Sequence, residues 1–401
     1  MFGSTRLNVF LIDVRPGLAS ALPASMSESR QIDTLATRLD AEGRPYALAT
    51  LVKVEGSAYR RPGARVLVAP DGATAGIISG GCLEREIAHH ALRVLGAGRA
   101  QVVRFDAARG EDLFGTGAGC GGTVHVLLQR VDPRAPAPHA LALLARAAES
   151  GRPHALATVF RAGGALAGEV GRHLLTAPGH PPRGNVVLPA LRRALAAAGQ
   201  RALDSGRTEP VTLSLPGGGE AEALVECVLP PVRLAVFGGG PDVAAMVRQG
   251  AAVGWRVAVV GTRPADELRA DFPAAREWVP LVHADQVARR VPLTPRTAAV
   301  VMTHNYVRDR TLVEALLRSP APYVGVIGSR PRFRDLLRDL KSAGALDGPW
   351  RRRLFGPAGL DLGAETPEEI ALSVVAEAHA VLAARPARPL RDPRRARRPV
   401  P

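Results

Sequence analysis

Two of the three cysteines in this chain stand between glycines, in Ser79-Gly80-Gly81-Cys82-Leu83-Glu84 and in Gly117-Ala118-Gly119-Cys120-Gly121-Gly122. A thiol that only fills core volume replaces a small apolar residue inside a strand or helix. Glycine framing instead lets a ligand or a second thiol approach the backbone closely. Cys82 falls where a strand-like segment, Gly76-Ile77-Ile78, gives way to a helical pattern. Free N–H groups and the positive end of a helix dipole favour thiolate, the form that acts as nucleophile and metal ligand. Cys120 lies among the five glycines between Gly115 and Gly122, where successive N–H groups can form an anion-binding nest. Three chemistries fit the pair: a disulfide, a soft-metal site, or covalent or coordinating contact with a cofactor. A structural zinc site lacks the Cys-x-x-Cys or Cys/His partner that four ligands need. His89 and His90 follow on the helix, with His90 toward the core and His89 toward solvent, where solvated histidines are commoner than ligands. Cys227, in the apolar run Ala223-Leu224-Val225-Glu226-Cys227-Val228-Leu229, reads as a structural strand residue.

Arginines add a second signal. Arg60, Arg61 and Arg65 crowd the turn-rich stretch from Gly56 to Arg65. Guanidinium groups beside glycine loops suit a phosphate or a planar heterocycle, and a plain solvated loop accounts for them equally well.

The elements that position these residues occur twice. Arg44-Pro45-Tyr46-Ala47-Leu48-Ala49-Thr50 returns as Arg152-Pro153-His154-Ala155-Leu156-Ala157-Thr158. The spacing then holds without a gap, from Gly56/Gly164 and Gly63/Gly171 to Gly98-Arg99/Gly206-Arg207. Such constancy points to duplication. Each copy reads strand, glycine turn, strand, helix, strand; the first has strands at Ala47–Val54 and Arg65–Ala69 and a helix at Leu83–Leu95. Ala190, after Leu188-Pro189, stands at the Cys82 position of the second copy, so the thiol and its glycines belong to the first copy alone. The first copy is therefore expected to hold the site and the second to serve as scaffold.

The second half has another pattern. The strand Val232–Phe237 runs into Gly238-Gly239-Gly240-Pro241, an alanine-rich helix to about Val253, and a strand at Trp255–Val260. Strands at Thr297–Thr303 and Pro322–Ile327 continue the alternation, which implies a parallel, doubly wound sheet. The dinucleotide fingerprint is incomplete: Val243 replaces its third glycine, and Gly261-Thr262-Arg263 stands where an acid would meet the ribose. NAD(P) use is accordingly disfavoured. His304, with Asp309 just beyond, is the general acid or ligand candidate, and Gly328-Ser329-Arg330 reads as a strand-to-helix anion loop. Thr366, Pro367 and Glu369 sign the start of a last core helix.

Composition bounds the rest. The 401 residues, 46% hydrophobic and 22% charged, describe a globular protein of two or three domains. No apolar run is long enough for a membrane, and Val9–Val14 is too short for a signal peptide. Met26 reads as a candidate start. Three cysteines make no disulfide framework, which points to a reducing cytoplasm. The net charge of +15 raises nucleic acid as a partner. Against it, lysine occurs only at Lys53 and Lys341, aromatics are 4%, and seven arginines lie in the Pro/Arg tail from Arg385 to Pro401.

Taken together, Gly56-Ser57 with Arg61-Pro62-Gly63-Ala64-Arg65, Ser79–Glu84 and Gly119–Gly122 resemble the XdhC/CoxI family. Thr303-His304, Tyr323–Arg330 and Gly359–Ala371 are similar to the same family's Rossmann domain, and the resemblance runs from about Ile32 to Ala384. The chain departs from the family pattern at Pro241, Gly261 and Asn305, where histidine and two aspartates are common. The expected fold is α/β. Residues 30–229 form an α+β cofactor-binding domain of two repeats (about 44–130 and 152–229), followed by a Rossmann-like doubly wound sheet over 230–385. Residues 1–29 and 386–401 are read as a disordered or mis-started extension and a disordered tail.

The resemblance implies a chaperone that binds molybdenum cofactor, promotes its sulfuration and inserts it into a molybdenum hydroxylase such as xanthine dehydrogenase; the alternative is an NAD(P)-dependent oxidoreductase. It implies as partners the apo hydroxylase, a cysteine desulfurase and a second copy of the chain. The implied cofactor contacts in the first half are Arg61, Arg65, Gly80, Gly81, Cys82, Gly119, Cys120 and Gly121, with both thiols near molybdenum. In the second half they are Gly238, Gly240, His304, Gly328, Ser329 and Arg330.

Overall fold

The computed structural model describes residues 28–81, 83–106, 122–216, 218–346 and 349–391. Met26, Cys82, Gly119, Cys120 and Gly121, together with the extension before Glu28 and the tail from 392, lie outside the described residues. The chain divides into two compact units between Pro230 and Pro231.

In the first unit, helix α1 (Glu28–Ala41) precedes β1 (Tyr46–Glu55), β2 (Arg65–Val68) and β3 (Thr74–Gly76). Then follow α2 (Glu84–Ala97), β4 (Gln101–Asp106) and β5 (Thr123–Val131). The second copy opens with α3 (Ala140–Ser150), β6 (His154–Ala162), β7 (His173–Ala177) and β8 (His180–Gly184). It closes with α4 (Pro189–Ser205), β9 (Glu209–Ser214) and β10 (Glu220–Val228). The two antiparallel sheets have the same order, β3-β2-β1-β5-β4 and β8-β7-β6-β10-β9. Their registers agree as well: Thr50 faces Arg65 as Thr158 faces His173. One helix covers each sheet, α2 through Ile87, Ala91 and Val94, and α4 through Leu191, Leu195 and Ala198. The opposite faces share a core in which Leu48 and Leu67 meet Leu156 and Leu175 beneath α1 and α3. Burying that shared apolar face is the main force joining the copies.

Polar pairs cross the same junction. Arg65 donates to Glu226 through both terminal nitrogens, at 3.0 and 2.5 Å. At the matching place in the other copy, His173 Nε2 meets Gln129 Nε2 at 3.3 Å and its Nδ1 meets Thr158 Oγ1 at 3.0 Å.

Two differences from expectation concern the first copy. The strand expected to reach Ile78 ends at Gly76, whose φ of 98° breaks the extended run and lets Ile77 N–H donate to Glu28 instead. The helix starts at Glu84 with Leu83 at its cap position. The copies also differ in the connection before their last strand, which spans 107–122 in the first copy and only 215–219 in the second. That longer connection carries Cys120.

The second unit begins with β11 (Arg233–Phe237), α5 (Val243–Ala252), β12 (Arg256–Gly261), α6 (Ala265–Asp271) and β13 (Glu277–Pro280). It continues through α7 (Val287–Arg290), β14 (Thr297–Val301), α8 (Tyr306–Leu317), β15 (Tyr323–Val326), α9 (Arg330–Ser342), β16 (Leu354–Phe355) and α10 (Pro367–Leu382). Its parallel strands run β13-β12-β11-β14-β15-β16, the order of a dinucleotide-binding sheet with its switch point between β11 and β14. Apolar cores lie on both faces, which explains why the strands read as unbroken Val/Ala/Leu runs. β14 and β15 stop at Val301 and Val326, short of the predicted Thr303 and Ile327, because the chain there turns away as crevice loops. Thr366 and Glu369 form the expected capping box on α10. No described helix is long and apolar enough to cross a membrane.

Candidate functional site

The loop from Ile77 to Leu83 is organised by one carboxylate. Glu84 accepts from the N–H groups of Ile78 (3.0 Å), Ser79 (2.7 Å) and Gly81 (2.8 Å), and from Ser79 Oγ (2.5 Å). Ser79 Oγ in turn accepts from Leu83 N–H at 2.7 Å. Burial opposes the charge on Glu84, but the bonds from Ser79 and Ile78 outweigh it and hold the carboxyl below its ordinary range. Free N–H groups are expected here from the sequence. Those of Ile78, Ser79 and Gly81 are instead committed to Glu84, and that of Leu83 to Ser79, as a half-buried loop requires of its backbone donors. The role of Glu84 is not foreseen by its place in the motif; a carboxylate at the start of a helix, just after a Ser-Gly-Gly turn, is the signal that could have revealed it.

Glycine shapes the same loop. Gly80 and Gly81 take φ values of 80° and 118°, in the left-handed region that side chains avoid. A Cβ on Gly80 would lie 3.3 Å from the Tyr59 ring, whereas one on Gly81 would meet no described atom within 4 Å. Among the described residues, the segment before Cys82 therefore packs at Gly80 and is open at Gly81.

The segment leading out of the Cys120 motif comes to the same neighbourhood. A Cβ on Gly122 would fall 2.2 Å from Ser57 O and 2.8 Å from Glu55 O, so only glycine fits there. The Gly56–Gly63 loop thus touches Gly80 through Tyr59 and Gly122 through Ser57. Glu28 ties it further, accepting from Arg60 Nη1 at 2.5 Å and from Ile77 N–H at 3.3 Å.

The three arginines separate into different roles. Arg60 is held by Glu28. Arg65 is buried, pairs bidentately with Glu226 and also donates to Gly63 O at 2.8 Å. Its guanidinium is directed to the second copy, not to an incoming phosphate. Arg61 is exposed, and among the described residues none pairs with its side chain. His90 stacks edge-on against Phe105 at 5.9 Å, half-buried, and His89 is exposed.

In the second unit the switch-point crevice brings Gly238, Gly240 and His304 together. A Cβ on Gly238 would sit 2.7 Å from Met302 O, so the two strand ends meet closely. His304, at a φ of 59°, places Nε2 2.9 Å from Asp242 Oδ2. Asp309 is 2% exposed and accepts from Thr303 Oγ1 at 2.6 Å and Arg332 Nη2 at 2.7 Å, which locks β14 to α9. Ser329 caps α9 by accepting from Arg332 N–H, Gly328 precedes it at a φ of 152°, and Arg330 is exposed. Asp242 is a residue that motif spacing does not single out. Its carboxylate lies at the glycine turn, where a pyrophosphate would otherwise bind. Gly261 closes against Leu268, leaving no acid for a ribose, and Arg263 bonds Gly239 O and Asp271.

Known proteins resemble this chain in sequence and fold. Residues 39–106 match the XdhC and CoxI family, and residues 234–378 match the XdhC Rossmann domain. A Bacillus subtilis (strain 168) protein, named as a probable subunit of xanthine dehydrogenase, is 32% identical over 347 residues, 85% of this chain and 95% of its own. The molybdenum cofactor insertion chaperone PaoD of Escherichia coli (strain K12) is 35% identical over 94 residues, 23% of this chain and 29% of its own. A Bacillus halodurans crystal structure, described as a xanthine dehydrogenase, aligns with a TM-score of 0.70 at 27% identity, over 92% of this chain and 98% of that one.

Proposed function

The chain belongs to the XdhC/CoxI family, and from that premise we propose that it binds molybdenum cofactor, promotes its sulfuration and delivers it to an apo molybdenum hydroxylase. The observation that carries this reading is that Gly80, two residues before Cys82, and Gly122, two residues after Cys120, both pack against the Gly56–Gly63 loop. The donor set fits such a group: an open glycine edge beside Gly81, the exposed guanidinium of Arg61, and the loops that lead to two thiols. Bound there, the cofactor would supply a metal centre and an anionic phosphate. Cys82 and Cys120 would meet the metal side, and Arg61 the phosphate. Glu84 holds the Cys82 loop in shape, and Tyr59 packs behind Gly80. In this reading a cysteine desulfurase supplies the sulfur, a hydroxylase such as xanthine dehydrogenase is the client, and two copies of the chain assemble as a homodimer. The second unit serves structure or docking, since Asp242 and the missing ribose acid do not suit NAD(P).

The test is elemental molybdenum and pterin analysis of the full chain purified from a molybdenum-sufficient host. Wild type is expected to carry both, and Cys82→Ala to carry at least about tenfold less, the scale of one lost strong contact. A wild-type protein without pterin overturns the cofactor reading. Undiminished retention in Cys82→Ala overturns the role of that thiol.

A further inference from the structure

A different face of the first unit holds a cavity of about 370 Å³ beside α3 and the β7–β8 hairpin. Arg146, Arg152 and Arg183 line it together with His154, His180 and Ser150. Among the described residues no carboxylate lines it, and Glu149, the one acid of α3, is exposed and faces the adjoining surface. Among the described residues no carboxylate pairs with any of the three arginines. Both histidines turn Nδ1 to a backbone carbonyl, His154 to Arg152 O at 2.9 Å and His180 to Pro178 O at 2.8 Å. Each therefore keeps Nε2 for another partner.

The first copy supplies an internal control. At the same register, Arg38 and Arg44 stand where Arg146 and Arg152 stand. There the charges are answered: Glu42 lies 3.9 Å from Arg38 and 3.0 Å from Arg44, and Asp71 lies 3.8 Å from Arg44. In the second copy Ser150 replaces Glu42 and Gly179 replaces Asp71. Two cationic residues are added, Arg183 for Ala75 and His180 for Gly72, and the fully buried Tyr46 gives way to the smaller His154. Acids have been removed, bases added and volume opened at one spot. Gathering like charges without counterions is unfavourable unless an external anion joins them.

The geometry points to a second ligand site here, for a small phosphorylated molecule with at least two negative charges. The volume falls in the range of small-molecule sites, larger than a bare phosphate needs. Guanidinium forks match phosphate oxygens bidentately. None of its lining residues belongs to the Gly56–Gly63 loop or to Ser79–Glu84, and it stands whether or not the chain carries molybdenum cofactor.

Titration calorimetry of the full chain with pyrophosphate and with AMP, at fixed ionic strength, tests this. Saturable binding is expected for wild type. Ser150→Glu, which restores the acid of the first copy, is expected to weaken it by about tenfold or more while thermal stability is kept. Arg183→Ala is expected to weaken it similarly and serves if the first variant does not fold. No saturable binding in wild type overturns the proposal. So does equal affinity in the variants, or equal displacement of the ligand by chloride at the same ionic strength.

Discussion

The two copies of the first unit share strand order and register yet solve the same problems with different charges. At the junction, the first copy's Arg65 pairs with Glu226, while the second copy's His173 pairs with Gln129. At the loop before the covering helix, the first copy uses Glu84 from the helix itself. The second uses Glu169, 3% exposed, which accepts from Val187 and Leu188 N–H groups. By register Arg61 occupies the Glu169 position, and Arg192 occupies the Glu84 position, where it donates to Val186 O and Pro182 O. Acid and base have exchanged places. The exchange keeps both loops satisfied, but it turns Arg61 outward in one copy and buries a carboxylate in the other. A duplicated scaffold can thus free a cation for binding without leaving backbone donors unpaired.

The largest effect tests the junction. Glu226→Ala leaves the Arg65 charge buried without its partner, for an expected loss of about 3–5 kcal/mol in urea unfolding. Arg65→His combined with Glu226→Gln installs the other copy's pair and is expected to recover most of that loss. A double variant no more stable than the single one would show that the two junctions are not interchangeable.

The second effect is one of pH. Burial first, then the positive Arg65 and His139, push the His173 pKa from 6.5 to about 3. An unfolded chain therefore takes up this proton near pH 6.5, and the folded one only near pH 3. Stability from this site is complete above about pH 6.5 and falls as pH drops toward 3. The decline is about 2 kcal/mol between pH 6.5 and 5. Urea midpoints at pH 7 and 5 should differ less in His173→Gln than in wild type; an unchanged slope would assign it elsewhere.

Much of this fold is legible in the chain because periodic features are local. The constant spacing from Arg44/Arg152 to Gly98/Gly206 predicts two equal sheets, and strand–glycine–helix alternation predicts the parallel one. The Arg65–Glu226 pair joins residues 161 apart, and no local pattern announces it. Arginine beside glycine reads the same whether the side chain meets a ligand or a buried acid, so Arg61 and Arg65 look alike until their surroundings separate them. Gly76 closes its strand early through a backbone angle, which apolar Ile77 and Ile78 conceal. The cysteine signal comes from loss in one copy, and the Arg61/Glu169 exchange becomes visible by the same alignment.

The last comparison, whose smaller member is the smallest effect expected, separates scaffold from site. Glu169→Ala strips a buried acceptor from two N–H groups and from Arg172, and is expected to lower stability by about 2–3 kcal/mol. Glu84→Ala acts on a loop with one open side, where water can replace the carboxylate, and about 1 kcal/mol is expected. Cofactor retention should reverse that order, because Glu84 shapes the Cys82 loop and Glu169 only the helix start that replaced it. Acid gives an independent check. The Glu84 carboxyl is held below its ordinary value of 4.5, so its grip on the loop is complete above that pH and is lost as pH falls through the lower, folded value. Glu84→Gln removes the titration, and its pterin content should stay level across that acid range while wild type declines. A loss of retention in Glu169→Ala larger than in Glu84→Ala would place the site in the wrong copy.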